Sequence, residues 1–246
     1  ALLMEEGEWV AAREWLLEAE PLLGARGELE HESRCRRLLA KLMSLHGDPK
    51  AAVTAQLAAM GMTALEADPW ADAVLDLAQY RADAGDDRLR IATLEAGVEL
   101  AAQSAAEHAS GAVDARAAQA RLLQALGVAY GEAAAALTAS GSGATDEAAA
   151  AARALDASVQ ITLELGDQRM AARALLDRAA LQSMTPPSSA DPNDDYVLEA
   201  EASHLDKLGE LLNTAHACAE RGLFLAAPRT LSMKLSLPIA RELASG

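Results

Sequence analysis

The chain has 246 residues, of which 51% are hydrophobic and only 3% aromatic, so its core must be built mainly from alanine and leucine. Both residues favour helices, and the alternating β-branched and aromatic runs typical of strands are absent from the sequence. A formal net charge of −16 argues against a phosphate-binding surface over most of the molecule, so direct nucleic-acid binding is not expected.

Other global features point to a cytoplasmic chain. Cys35 and Cys218 lie far apart and define no disulfide framework, which indicates a reducing compartment or simply no selection for disulfides. No apolar run approaches about 18 residues and no basic-then-apolar leader opens the sequence, so no membrane association is expected. The sequence begins at Ala1 inside a helical pattern, which suggests a piece of something longer.

Helical periodicity and Gly/Pro punctuation predict antiparallel helix pairs along the chain. The expected bounds are about 1–24, 29–67, 69–109, 112–165 and 168–221, followed by a capping helix at 226–244. In the first pair, Pro21 and Gly24 are expected to end a helix that starts at Glu8. In the third, Pro69 is expected to start a helix, because its missing N–H would be unpaired in a first turn.

Three Gly-Asp turns punctuate these helices, at Gly47, Gly85 and Gly166. Glycine favours the left-handed conformation that ends a helix, and aspartate accepts the free N–H groups of the next one. The turns are separated by 38 and 81 residues, which predicts a repeat of about forty residues. Thr185–Asp195 contains three prolines in eleven residues, so an exposed loop is expected there.

Small residues recur at matching places in the predicted helices. In first helices they form the pairs Leu39-Ala40, Leu77-Ala78 and Leu126-Gly127, and in second helices they are Ala12, Ala19, Ala52 and Ala59. With the Gly-Asp turns, this pattern resembles a tetratricopeptide-repeat array, in which small residues lie where neighbouring helices cross most closely. Departures from it are Arg90, where alanine is expected, the lengthened turn Ser140–Gly143 and the proline-rich loop.

The resemblance implies an all-α fold: a right-handed α-solenoid of about five antiparallel helix pairs with a C-terminal capping helix, forming one array over residues 1–246. Units near forty residues, and the phrase Leu165-Gly166-Asp167, are also similar to the helical arrays of bacterial transcription activators of the maltose-regulator type. In those proteins the array receives a ligand or partner signal while a separate domain reads DNA. No DNA-reading domain is visible in this sequence.

In such arrays the first helices line a concave groove. Placing the Leu-small pairs at equivalent depths brings onto that surface Arg34, Arg37, Lys41, Asp72, Gln79, Arg121, Gln124, Arg173 and Leu176. Five of these nine are basic, and arginine forks suit a peptide carboxylate or an acidic segment. The alternative is that the arginines pair along their own helices, as Glu30 would with Arg34 and Glu32 with Arg36.

No catalytic or metal-binding motif is found. His31 and Cys35 are four residues apart on one helix face, but a zinc site would need two more ligands and none is near in sequence. The sequence contains neither a nucleophile elbow nor a strand followed by a Gly-rich phosphate loop, so we expect no enzyme activity, cofactor or metal. Trp9 is assigned to the core, whereas Trp15 is left open between core and partner anchor.

We therefore expect a non-enzymatic scaffold that binds a protein or peptide along the groove. The alternative is a ligand- or peptide-sensing module of a larger bacterial transcription regulator. A third reading is an array whose end helices pair between copies, giving a homo-oligomer.

Overall fold

The computed structural model describes residues 9–62, 67–107, 111–143, 145–184, 206–207 and 209–218. All regular secondary structure within them is helical, which confirms the all-α class. The helices are α1 (Trp9–Arg26), α2 (Leu29–Leu45), α3 (Pro49–Met60), α4 (Ala67–Asp83), α5 (Asp87–Glu107), α6 (Ala112–Ala139), α7 (Thr145–Glu164) and α8 (Gln168–Met184). Residues 209–218 are helical too. The predicted segments 1–6, Thr185–Asp195 and 226–244 lie outside the described residues.

Two predicted helix ends are wrong. α1 continues through Pro21 and Gly24 to Arg26, and the left-handed glycine that ends it is Gly27, with φ 71°. Pro21 is exposed, so the helix loses one backbone hydrogen bond there without burying an unpaired group. α3 stops at Met60 before Gly61, well short of the expected Ala67.

The three Gly-Asp turns form as predicted. Gly47, Gly85 and Gly166 have φ of 82°, 78° and 75°. In each turn the following aspartate donates its backbone N–H to the carbonyl five residues earlier, at 2.8 to 2.9 Å. These are Schellman motifs, which satisfy the last carbonyls of the helix. The carboxylate of Asp48 also caps α3 by accepting the Ala51 N–H at 3.1 Å.

A period of 38 residues holds in the first part of the chain only. Adding 38 to the bounds of α2 gives those of α4, and adding it to the start of α3 gives that of α5. Gly166, however, follows α7, and the interval from Gly85 holds the three helices α5, α6 and α7, where two repeats would need four. The prediction that this interval contains two repeats is therefore wrong. The extra length lies in α5 and α6, which have 21 and 28 residues.

The chain divides into two compact units, residues 1–122 and 123–246. In the first unit each helix from α1 to α4 packs on the helix that follows it in the chain, and α2 also contacts α4. The Leu-small pairs lie at these contacts: Leu39, Ala40, Leu77 and Ala78 are all buried. Ala40 packs with Ala52 of α3 and Tyr80 of α4 in one cluster. Small residues thus bring three helices together at one point.

The N-terminal edge of the first unit has a thinner core. Ala12 is the buried residue of α1 and packs with Leu42 of α2. Trp9 is partly buried against the same pair, as predicted. Trp15, in contrast, is 66% exposed. Most of α1 therefore faces solvent on the side away from α2.

The second unit contains the C-terminal part of α6, the α7–α8 hairpin and helical residues 209–218. Gly127 of α6 lies against Leu155 and the Ala151 carbonyl of α7. Ala215 and Cys218, from residues 209–218, pack in one cluster with the buried face of α8. This unit also depends on small residues where helices meet.

The length and apolar composition of α6 give it a property that was not expected from the sequence. By length and composition it could cross a membrane, and it is the one such helix among the described residues. A buried core helix built from alanine and leucine passes the same test. In α6, Ala118, Leu122 and Gly127 are buried, and 39% of the apolar window is buried in total.

The crossing at Gly127 gives a stability prediction. A Cβ placed there would lie 2.5 Å from Leu155 Cγ and 3.1 Å from the Ala151 carbonyl oxygen. Gly127→Ala is expected to destabilise the protein by about 1–3 kcal/mol through overpacking, despite the better helix propensity of alanine. The urea midpoint followed by circular dichroism measures this. Gly131→Ala is the matched control, because its Cβ would meet only the flexible end of Leu181, at 3.3 Å. Equal midpoints for the two variants would show that the α6–α7 crossing is not tight.

Candidate partner-binding surface

The exposed face of α2 carries alternating cations and leucines. Arg34, Leu38, Lys41 and Leu45 recur at positions i, i+4, i+7 and i+11, which places them on one face of the helix. Arg34 and Lys41 are exposed, Leu45 is 59% exposed, and Leu38 is partly buried. We call these four residues the α2 stripe. It combines positive charge with apolar area.

The corresponding face of α4 is acidic. Asp72, Asp76, Gln79 and Asp83 have the same spacing, and each lies 38 residues after its counterpart in the α2 stripe. All four are exposed. We call them the α4 stripe. Because α2 contacts α4, the two stripes form one surface with a basic and an acidic side.

One hydrogen bond joins α2 to the α4 stripe, and a second lies within the α4 stripe. Ser44 of α2 donates its hydroxyl to Asp83 Oδ2 at 3.1 Å, and Gln79 Nε2 donates to Asp83 Oδ1 at 2.8 Å. Tyr80 is buried beneath them, and this burial, together with the charges of Asp76 and Asp83, raises the pKa of its hydroxyl. The tyrosine therefore remains protonated at the base of the surface.

Asp76 lies where the charges of the two stripes meet. Its carboxylate is exposed on one side, but crowding by the two helices removes enough water to raise its pKa. Lys41 and Arg37 lower this pKa, whereas Asp72 raises it further. The pKa of Asp76 is raised overall because the loss of water around its carboxyl group is the largest of these effects.

The predicted basic residues of the first unit differ in whether they form an ion pair. Arg121 of α6 forms an ion pair with Asp72 of α4, with 31% and 55% of the two side chains exposed. Arg34 and Lys41 make no ion pair with any described residue. Arg37 is half-buried, and its Nε has no hydrogen-bond partner among the described residues. The free cations of this surface are therefore those of α2.

The sequence also suggested that arginines pair with glutamates on their own helix. Of the two pairs suggested, one forms. Arg36 contacts Glu32 at 2.8 Å and also Glu20 of α1 at 2.6 Å, so it fastens α2 to α1. Within the described residues, no ion pair joins Glu30 to Arg34. Arg34 therefore stays available on the exposed face.

The remaining predicted site residues belong to the second unit. Gln124 Nε2 donates to Asp177 Oδ2 of α8 at 2.7 Å, and Arg173 is exposed. Leu176 was expected on the surface, but it is 7% exposed and packs in the α8 cluster, so that prediction is wrong. Its neighbour Leu175 is buried in the same cluster, which turns this part of α8 inward.

The nine residues predicted for the groove omit Leu38, Leu45, Asp76 and Asp83 of this surface. The signal was present, because Asp76 and Asp83 lie 38 residues after Leu38 and Leu45. Applying the repeat spacing along the whole exposed face of α2 and α4 would have found them.

Two further features lie elsewhere in the first unit. A pocket of about 350 Å³ is lined by Val10, Arg13, Met43, His46, Asp48 and Ala51. His31 and Cys35 were considered as metal ligands. His31 Nδ1 lies 3.6 Å from Glu28 Oε2. The Cys35 thiol donates to the Leu16 carbonyl at 3.2 Å. Among the described residues, no group of three or more His, Cys, Asp or Glu side chains is placed to hold a metal ion.

Comparisons with known proteins identify no family. No family model matches the chain, and no curated protein matches it. Among solved structures, one described as "DHF58 filament" is similar, with 16% sequence identity over 87% of this chain and 97% of that chain. The TM-score of that comparison is 0.34, so this likeness supports no conclusion about fold or function.

The charges around Asp76 predict a defined titration. Burial should place the pKa of Asp76, the midpoint of its titration, above the ordinary value of 3.8. Lys41→Ala should raise this pKa further, and Asp72→Asn should lower it. Carboxyl chemical shifts followed by NMR measure all three. Because the folded-state pKa is raised, stability relative to Asp76→Asn should fall as pH rises through this midpoint. A midpoint unmoved by Lys41→Ala would show that Lys41 does not face Asp76.

Proposed function

We propose that this chain is a non-enzymatic scaffold that binds a protein or peptide on the exposed faces of its first helices. The observation that carries this proposal is the pair of stripes on α2 and α4, which repeat at 38 residues and leave Arg34, Lys41 and Leu45 open to solvent. Exposed cations beside exposed leucine offer both steering charge and apolar area to a partner.

The proposed architecture is a right-handed, tetratricopeptide-repeat-like α-solenoid forming one array. Its support is the coincidence of helix bounds after a shift of 38 residues and the contact between the first helices α2 and α4. Buried small residues at the helix contacts agree with it. In this proposal Gln124 and Arg173 contribute partner contacts on the second unit.

The chain's charge supports a polypeptide partner over nucleic acid. The net charge of −16 would repel a phosphate backbone, and the α2 stripe offers only two exposed cations, Arg34 and Lys41. We propose a cytoplasmic protein without a cofactor, acting away from membranes.

A sensing module of a larger transcription regulator is the second candidate. The pocket beside His46 favours it, since its volume of about 350 Å³ falls in the range of small-molecule sites. A sensor should gain thermal stability with a diffusible ligand, whereas a scaffold should gain it with a polypeptide. Thermal shift with a metabolite library and a peptide library separates the two.

The scaffold proposal predicts the effect of reversing the free cations. Peptides selected from a random displayed library on the wild-type chain should bind Arg34→Glu with Lys41→Glu at least about tenfold more weakly, because two attractive contacts become repulsive. Fluorescence anisotropy measures the affinities, and circular dichroism checks the fold.

A matched control makes this test specific. Lys50→Glu with Arg88→Glu changes the net charge equally, at exposed residues of α3 and α5. This variant should keep wild-type affinity. Equal loss in both variants would mean that net charge, and not the α2 stripe, governs binding. Unchanged affinity in both would contradict the proposed surface.

A further inference from the structure

We infer that the α2 and α4 stripes recognise a helical segment of mixed charge, with carboxylates seven residues apart facing α2 and a basic edge facing α4. This inference rests on the proposed function and specifies the partner's chemistry. It differs from the expectation of a purely acidic partner, because the acidic side of the surface constrains the partner as much as the basic side.

The spacing of the free cations favours a helix over an extended peptide. Arg34 and Lys41 are seven residues apart, about 10.5 Å along the axis of α2. A partner helix parallel or antiparallel to α2 repeats its own face at the same interval, so carboxylates at i and i+7 match both cations. Side chains on one face of a strand recur about every 6.6 Å, which does not fit that interval.

Apolar contacts fit the same arrangement. Leu38 and Leu45 alternate with the two cations along α2, and Leu45 is 59% exposed. Leu38 is partly buried against Ala12 and Leu42, so a partner helix with apolar residues between its carboxylates covers mainly Leu45. Its binding face therefore combines apolar and acidic positions, in the same alternation as the α2 stripe.

The α4 stripe decides the other edge of the partner. Asp76 and Asp83 are exposed, and an acidic peptide lying along α2 would bring its carboxylates close to them. Like-charge contacts of this kind discriminate strongly between partners. Lysine or arginine on the edge facing α4 replaces that repulsion with attraction.

One such pairing already occurs between helices of this chain. Arg121 of α6 pairs with Asp72, so the α4 stripe accepts an arginine from a neighbouring helix. Lys41 of α2 forms no ion pair with Asp76, but it lies close enough to lower the pKa of that carboxyl group. A partner helix on the surface would extend this alternation of charge.

Two designed peptides of identical composition test the inference. Both are alanine-based helices with apolar residues between their charges. The mixed peptide has glutamate at i and i+7 and lysine along one neighbouring edge. The scrambled peptide has the same glutamates and lysines distributed over both edges, so neither binding direction gives it one acidic and one basic edge. The mixed peptide should bind the wild-type chain at least about tenfold tighter at low ionic strength, where exposed charges are least screened. Fluorescence anisotropy measures both affinities.

Charge reversal in the protein should abolish the preference for the mixed peptide. With Arg34→Glu and Lys41→Glu both α2 and α4 present acidic residues, so the two peptides should bind with similar affinity, whereas Lys50→Glu with Arg88→Glu should keep the wild-type order. Circular dichroism verifies that each variant is folded. A preference that follows the α2 charges in this way supports the inference, because net charge and peptide composition are constant within each comparison.

Contrary outcomes separate the two proposals. Equal affinity of the wild-type chain for both peptides, binding of neither, or tighter binding of an all-glutamate helix overturns the mixed-charge inference. The scaffold proposal survives these results if peptides selected from the library still lose affinity for Arg34→Glu with Lys41→Glu. If the library also yields no such peptide, both proposals fail.

Discussion

Close approach of helices at alanine and glycine is the constraint on which the rest of this structure depends. With few aromatic residues, the chain cannot fill wide spaces between helices, so contacts must be tight. Ala40 and Ala52 are fully buried where α2 meets α3, and Gly127 leaves no room for a Cβ at α7. These contacts bring α2 beside α4, and that proximity places a basic stripe next to an acidic one.

Much of the helical pattern could be predicted from local chemistry. Gly-Asp turns were found because glycine and aspartate act through the backbone of a few neighbouring residues, and Gly47 and Gly85 ended helices where expected. The ends near Pro21 and Gly61 were not found. A proline in an exposed helix costs one hydrogen bond that packing against α2 offsets, and periodicity alone does not show which glycine becomes left-handed.

The candidate surface was less predictable than the helices. Arg121 and Gln124 were selected from their position in the pattern, but both form contacts with acidic residues about fifty positions away in sequence, Asp72 and Asp177. Such partners are set by helix packing, which sequence spacing did not provide. Leu176 failed for the same reason, because the inward face of α8 depends on its contacts with residues 209–218.

The repeat also explains why the residues predicted for the groove include only part of the surface formed by the α2 and α4 stripes. Positions related by 38 residues share a structural place, but they do not share a charge: Arg34 corresponds to Asp72, and Leu38 to Asp76. Packing fixes the small residues of each repeat, whereas the exposed stripes are free to differ. Neighbouring stripes of opposite sign make the two sides of this surface chemically different. In the proposed function, a repeat whose packing is constant and whose exposed charges differ would distinguish partners that carry the same charges in different arrangements.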